Sequence, residues 1–360
     1  MVKRVCLVSS GTGGHLWPAM VLGEALRTQG HDTLFLTEGR AVERELLGRA
    51  GHRAECLDLR TRNGGHLSGL GQLVAMARGT LAARRLLRRE GVDAVVCTGG
   101  RTSVAAGLAG RSLGLPLAVL EQNAVPGRGN RLLSRFADRV YLGLPTVTDV
   151  RHGIVTGTPV RREMGCSDRE LARRKLGLRS DVPVVLVTGG SQGASFLNEN
   201  VPEALLALRR PLQVLHLTGQ GNESAVRSRY VGGIEIGVDA VVREMAFDMA
   251  TMYGAADLVV CRGGGCTVAE LVVTGRAAFI IPYPHHRDRQ QLHNGKVLER
   301  AGAARVLEQR DLDGARLRHE LGVLLDAPER LRLMEHCART LDLGDACDRI
   351  VEDLETRVLS

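Results

Sequence analysis

Four segments carry residue types that bind phosphate, hold a diol or move a proton. The first is Gly11-Thr12-Gly13-Gly14-His15, which follows the apolar run Val5–Val8 directly. Glycines after a buried strand let the backbone approach a ligand. A helix that follows, with Pro18 expected near its first turn, aims unpaired N–H groups and its positive end at that ligand. A dinucleotide site would want GxGxxG with an acid ending the second strand. Here the spacing fails, and His15 follows the glycines. An imidazole at the mouth of the crevice is a candidate base; the alternative is a histidine that merely caps the helix. The second segment, Gly189-Gly190-Ser191-Gln192-Gly193-Ala194, offers hydroxyl and amide donors for a phosphate or ribose, or is an ordinary tight turn.

The third segment says most. After the apolar run Leu258–Cys261 comes Arg262-Gly263-Gly264-Gly265-Cys266-Thr267-Val268-Ala269-Glu270. Three glycines expose backbone N–H groups where a helix begins, which makes an anion site. Glu270, a turn further in, can accept both hydroxyls of a ribose. Together they describe a nucleoside diphosphate pocket; otherwise Glu270 is only a charge placed well against the helix dipole. The fourth segment runs from Pro282 through Tyr283, His285, His286 and Arg287 to Gln290, Gln291 and Asn294, after the apolar Phe279–Ile281. Paired glutamine amides suit sugar hydroxyls.

No metal is expected. His285 and His286 lack a third ligand at helical spacing, and Asp311-Leu312-Asp313 is better placed to cap the helical run 314–325. The eight cysteines show no CxxC and no paired Cys/His spacing, which supports neither zinc nor a disulfide framework. No cofactor is implied.

These segments need a scaffold. Apolar runs alternate with helical patterns along the chain, which predicts βα units and parallel sheets. Candidate strands are Val5–Val8, Thr33–Leu36, Ala94–Cys97, Leu117–Leu120, Val140–Tyr141 and Ile154–Val155, then Val184–Val187, Leu212–Leu217, Leu258–Cys261 and Phe279–Ile281. Each half opens alike, VCLVSSGTGGH and VVLVTGGSQGA, so two related open α/β domains in series are predicted. They join near Gly157-Thr158-Pro159, giving domains over 1–159 and 160–344. An amphipathic terminal helix within 345–360 is expected to cross back to the first domain. With 3% aromatics among 360 residues, the cores must be packed by Leu, Val and Ala.

The net charge of +8 is uneven: Lys+Arg outnumber Asp+Glu 21 to 12 through Val155, against 27 to 28 beyond it. A basic N-terminal half seeks phosphates. Scarce aromatics for base stacking argue against nucleic acid. Between 67 and 89, Leu70, Leu73, Val74, Ala77 and Leu81 can share a helix face, with Arg84, Arg85, Arg88 and Arg89 at its basic end. Such a helix suits an anionic membrane surface, or faces a core with a solvated end. No signal peptide or long apolar span is read, so the chain is expected on the cytoplasmic side.

Taken in order, GTGGHLWPA, LEQNAVPGRGNRLLSRFADRV, TGTPVR, VTGGSQGASFLNENVP, CRGGGCTVAEL and DRQQLHNGKVLERAGAA resemble the MurG family. Its members transfer N-acetylglucosamine from UDP-N-acetylglucosamine to lipid I, making lipid II for peptidoglycan. The resemblance implies a GT-B fold: two Rossmann-like open parallel-sheet domains facing each other across a cleft. The acceptor would bind the N-terminal domain, which associates with the inner membrane, and the donor the C-terminal one. It further implies that Thr12, Gly13 and Gly14 line phosphates and that His15 is the base, with Glu121 as the alternative. Glu121 and Asn123 would flank the reacting sugar, and Arg161 and Ser191 would contact UDP. Gly265, Cys266, Thr267, Val268, Ala269 and Glu270 would hold diphosphate and ribose, and Gln290 and Gln291 the sugar hydroxyls. Backbone near Ala246 would meet the uracil. Three local departures are Arg101, where the family usually has an aromatic, Thr158 in place of its asparagine, and the stretch Pro282–Arg287, about one residue longer than in some members. A transferase acting on another lipid or natural-product acceptor, and a UDP-N-acetylglucosamine epimerase, stay open as alternatives.

Overall fold

The computed structural model describes all residues except 11, 12, 58, 60–68, 167 and 360. The chain divides into two compact units, Met1–Val160 with Gly344–Ser360, and Arg161–Leu343. Thr12, assigned above to phosphate binding, lies outside the described residues.

Among the described residues the first unit holds strands β1 (Arg4–Val8), β2 (Asp32–Thr37), β3 (Ala54–Cys56), β4 (Ala94–Cys97), β5 (Leu117–Glu121), β6 (Arg139–Leu142) and β7 (Gly153–Val155). They pair in parallel in the order β3-β2-β1-β4-β5-β6-β7. Strand β1 is apolar on both faces because both are covered. Val5 and Leu7 pack with Leu16, Leu22 and Leu26 of helix Gly13–Thr28. Cys6 and Val8 pack on the other side with Ala83 and Leu87 of helix Gly69–Arg89 and Ala105 of helix Gly100–Ser112.

The terminal helix Ala346–Arg357 belongs to this unit. Asp345 caps it by accepting the Cys347 N–H at 2.8 Å. Its Ile350 and Leu354 are fully buried among the β1 side chains, each contributing about 1.5–3 kcal/mol. Asp353 accepts from Arg139 Nε and from the Tyr141 hydroxyl, both at 3.0 Å, fixing the helix to β6.

The second unit repeats the plan with β8 (Val184–Thr188), β9 (Leu212–Leu217), β10 (Val238–Arg243), β11 (Leu258–Cys261), β12 (Ala278–Ile280) and β13 (Ala304–Val306). The order is β10-β9-β8-β11-β12-β13, again parallel. In both sheets the order reverses between the first and fourth strands, the place beyond whose carboxyl ends open α/β sheets bind ligands. The chemically promising segments follow β1, β4 and β5 in one unit, and β8, β11 and β12 in the other.

Two expectations need correcting. Helix Gly13–Thr28 starts before His15, so His15 sits in the first helical turn and does not cap the helix, and Pro18 lies inside the helix, past that turn. Strands β3, β10 and β13 were not foreseen from sequence. All three are sheet edges, and their half-exposed residues blur the apolar signal.

Candidate functional site

The first unit's site is built on the loops after β1, β4 and β5. Glu121, at the end of β5, is 1% exposed. Its Oε1 accepts from the Asn123 backbone N–H and side-chain amide, and its Oε2 from Gly127 N–H and the Asn130 amide, all at 2.9 Å. Four donors occupy this carboxylate, so it anchors the loop 122–127 and fixes Asn123. With its lone pairs engaged, it is poorly suited to take a proton. His15 is half-buried, and its Nδ1 lies 3.2 Å from Gln122 Oε1. Gly99 has φ +128°, open chiefly to glycine, and a Cβ there would stand 2.7 Å from the His15 ring. The ring therefore rests on bare backbone. Arg101 is exposed in the first turn of helix Gly100–Ser112.

In the second unit, helix Gly265–Thr274 begins directly after the β11 turn, with Gly264 at its N-cap. Its first backbone bond runs from Val268 N–H to Gly264 O at 2.9 Å. The preceding amides, of Gly265, Cys266 and Thr267, project from the helix end, where anions bind. Not every residue of the segment serves a ligand. A Cβ on Gly263 would overlap the Gln291 carbonyl oxygen, so this glycine lets helix Gln290–Arg300 approach. Arg262 turns inward, donating to the carbonyls of Ile281 at 2.9 Å and Pro282 at 3.1 Å and to Gln309 Oε1 at 3.1 Å. Its charge holds the loop after β12 and is spent there.

Glu270 is half-buried, and its Oε2 accepts from the Tyr253 hydroxyl at 2.9 Å. Burial pushes its carboxyl pKa up, against the opposing pull of Tyr253 and the Arg161 charge. Arg161 donates to the Phe247 carbonyl at 2.9 Å, beside half-buried Ala246. Ser191 is exposed in the turn after β8. Gln290 and Gln291 open their helix, and Gln291 Oε1 accepts from Tyr283 N–H at 2.9 Å. That bond leaves the Gln291 NH2 as its donor end. His285 and His286 are exposed, with ring centroids 5.3 and 5.0 Å from that of Tyr283. No group of three or more His, Cys, Asp or Glu among the described residues is arranged for a metal. Asp313 caps helix Gly314–Leu325, accepting Arg316 N–H at 2.7 Å.

Sequence reasoning missed Tyr253 and the part played by Gln122. Tyr253 lies on helix Met249–Ala255, buried from Ala250 onward, where nothing in the local pattern sets it apart from a core aromatic. Gln122 sits inside the EQN triplet, between two residues whose chemistry is more conspicuous.

Two Rossmann-like units in series, the second with an anion-receptive helix end and an oriented carboxylate, define a GT-B glycosyltransferase. Comparison with known proteins narrows this. The glycosyltransferase family 28 N-terminal domain matches residues 5–142 and its C-terminal domain residues 184–350. The UDP-N-acetylglucosamine–N-acetylmuramyl-(pentapeptide) pyrophosphoryl-undecaprenol N-acetylglucosamine transferase of Ectopseudomonas mendocina is 38% identical, over 98% of each chain. Its counterpart in Sorangium cellulosum is 37% identical over 97% of this chain and 87% of that one. The crystal structure of Acinetobacter baumannii MurG superposes with a TM-score of 0.83 at 31% identity, covering 98% of this chain and 99% of that chain. The chain belongs to the MurG family of glycosyltransferase family 28.

Proposed function

We propose that this protein transfers N-acetylglucosamine from UDP-N-acetylglucosamine to the 4-hydroxyl of N-acetylmuramyl-(pentapeptide) pyrophosphoryl-undecaprenol, with inversion at the anomeric carbon. Similarity over nearly the whole chain to transferases of that name supports the reading. The single observation that carries it is Glu270, aimed by Tyr253 beside a helix end that receives anions. A diol-binding acid next to a diphosphate-binding helix end is what a nucleotide sugar requires.

In this reading the residues from Gly265 to Glu270, with Arg161, Ser191 and the backbone near Ala246, hold UDP. Gln290 and Gln291 read the sugar hydroxyls. Thr12, Gly13, Gly14 and Asn123 meet phosphates and the reacting sugar. His15 takes the proton of the acceptor hydroxyl as its oxygen forms the new bond to the anomeric carbon. The bond from that carbon to the β-phosphate oxygen breaks, and UDP leaves with both bonding electrons. Backbone N–H groups and Arg161 stabilise the charge that gathers on it. No metal is assigned a part. With UDP-N-acetylglucosamine and a lipid I analogue in EDTA, UDP should be released only when acceptor is present. Release without acceptor, together with 2-epimer, would replace this reading by an epimerase.

We also propose that the protein works on the cytoplasmic face of the cell membrane as a peripheral protein. On helix Gly69–Arg89, Leu73, Val74 and Leu81 are 68%, 52% and 56% exposed, so this stripe does not face the core. Ala77 is exposed with them, as are Arg78, Arg85 and Arg88. Arg84 and Arg89 instead bond within the unit, to Ser112 and to Glu55 and Glu90. The side chain of Leu70 lies outside the described ones. No helix among the described residues is long and apolar enough to cross a membrane. Cosedimentation with phosphatidylglycerol vesicles should fall on Leu73→Glu/Leu81→Glu; equal sedimentation would remove this stripe from the contact.

A further inference from the structure

We infer that Gln122 is a positioning residue that fixes the tautomer of His15, holding the proton on Nδ1 and keeping Nε2 as the basic nitrogen. The inference rests on the reading of His15 as the base and adds how that base is kept in its working form.

Gln122 is 2% exposed, and its amide is constrained at both ends. Its NH2 donates to the carbonyl of Thr98 at 3.3 Å and to that of Leu120 at 3.5 Å. Both acceptors belong to the sheet: Leu120 lies in β5, and Thr98 follows β4 with its own N–H bonded to Val8 O at 2.9 Å. The amide cannot turn over without setting its oxygen against two carbonyl oxygens and losing both bonds, in a place where water does not compensate. The end facing His15 is therefore the oxygen, 3.2 Å from Nδ1. An oxygen with no hydrogen to give accepts only from Nδ1–H. In a neutral imidazole the proton resides on one nitrogen, so Nε2 is left with its lone pair. Nε2 has no hydrogen-bond partner among the described residues.

The seat permits no easy escape. His15 is held by the first turn of helix Gly13–Thr28, and its ring lies over Gly99, where a side chain would displace it. With ring position and amide orientation both set by backbone, the tautomer follows from the fold. The amide also differs usefully from the carboxylate that often faces a catalytic histidine. A carboxylate would fix the same tautomer but stabilise the imidazolium strongly. At this position it would further face the oxygens of Thr98 and Leu120. A neutral acceptor sets the tautomer without adding a charge that would hold a second proton on the ring. This gives a reason for glutamine between Glu121, which anchors the loop, and Asn123, which the loop presents.

The test begins with the wild-type protein. Nitrogen NMR of ring-labelled histidine, with His15 assigned by loss of its signals in His15→Gln, should show Nδ1 as the protonated and Nε2 as the unprotonated nitrogen at neutral pH. Gln122→Met, similar in length but offering no oxygen, should shift the ring toward the Nε2–H form. It should also lower kcat roughly tenfold, equivalent to about 1.4 kcal/mol, with UDP affinity by calorimetry unchanged. An Nε2–H ring in the wild type, or a ring that stays Nδ1–H in Gln122→Met, would overturn the inference. The two readings fail separately. If the wild-type ring is Nδ1–H and moves in Gln122→Met while turnover resists both Gln122→Met and His15→Ala, the lock stands and the assignment of His15 as base falls.

Discussion

His15→Ala is expected to lower kcat by about 10²–10⁴-fold, the range by which a positioned proton acceptor accelerates such a step. UDP affinity should stay as in the wild type. The separation follows from the architecture: His15 belongs to the first unit, whereas Gly265–Glu270, Arg161 and Ser191 all belong to the second. The expectation is sharper for the state of its rival. Glu121 is buried and receives four N–H bonds at 2.9 Å, so using it as a base would strip the loop 122–127 of its anchor. Its replacement should therefore lower stability along with activity, which distinguishes an anchor from a base. Single-turnover rates for His15→Ala, with calorimetry of UDP alongside, make the comparison. Unchanged turnover would take the proton away from His15.

Much of the scaffold was open to reading because central parallel strands advertise themselves. β1, β8 and β11 are short apolar runs buried on both faces, and each is followed by glycines and then a helix. The strands that escaped notice, β3, β10 and β13, end their sheets. β3 is Ala-Glu-Cys and β10 mixes Asp239 and Arg243 with valines, because an edge strand need not bury both faces. The candidate site was legible to a similar depth. Residue types after strand ends pointed to His15, Glu270, Gln290 and Gln291. Their partners did not show, because Tyr253 reaches Glu270 from a helix 17 residues earlier and Gln122 reaches His15 across 107 residues. Composition was equally blind to whether an arginine faces a ligand or its own chain. Arg262, followed by three glycines, stands in the segment read as an anion site, yet its donors go to the loop at Ile281 and Pro282.

Glu270→Ala should weaken UDP binding by about 10- to 150-fold, the effect of losing about 1.5–3 kcal/mol of hydrogen bonding to an ionised acceptor. A competing account makes Glu270 no more than a favourable charge against the helix dipole. Its position argues otherwise. It is the sixth residue of helix Gly265–Thr274, with no acidic residue in the first turn, and dipole effects fade beyond that turn. The competing account also leaves the Tyr253 hydroxyl unexplained, since a charge that only complements a dipole needs no orienting donor 2.9 Å away. Burial raises the Glu270 pKa, and a diol donating two hydrogen bonds would favour the ionised form. Binding of UDP should accordingly release protons at a pH where part of the free carboxyl is protonated, a change that calorimetry in buffers of different ionisation enthalpy can read. The decisive comparison pairs the variant with a nucleotide lacking one hydroxyl. If Glu270 grips the ribose diol, 2′-deoxy-UDP binds the wild type more weakly than UDP does, and Glu270→Ala no longer distinguishes the two. If the variant loses the same affinity for both nucleotides and keeps the difference between them, the carboxylate supports the helix end and some other group reads the ribose.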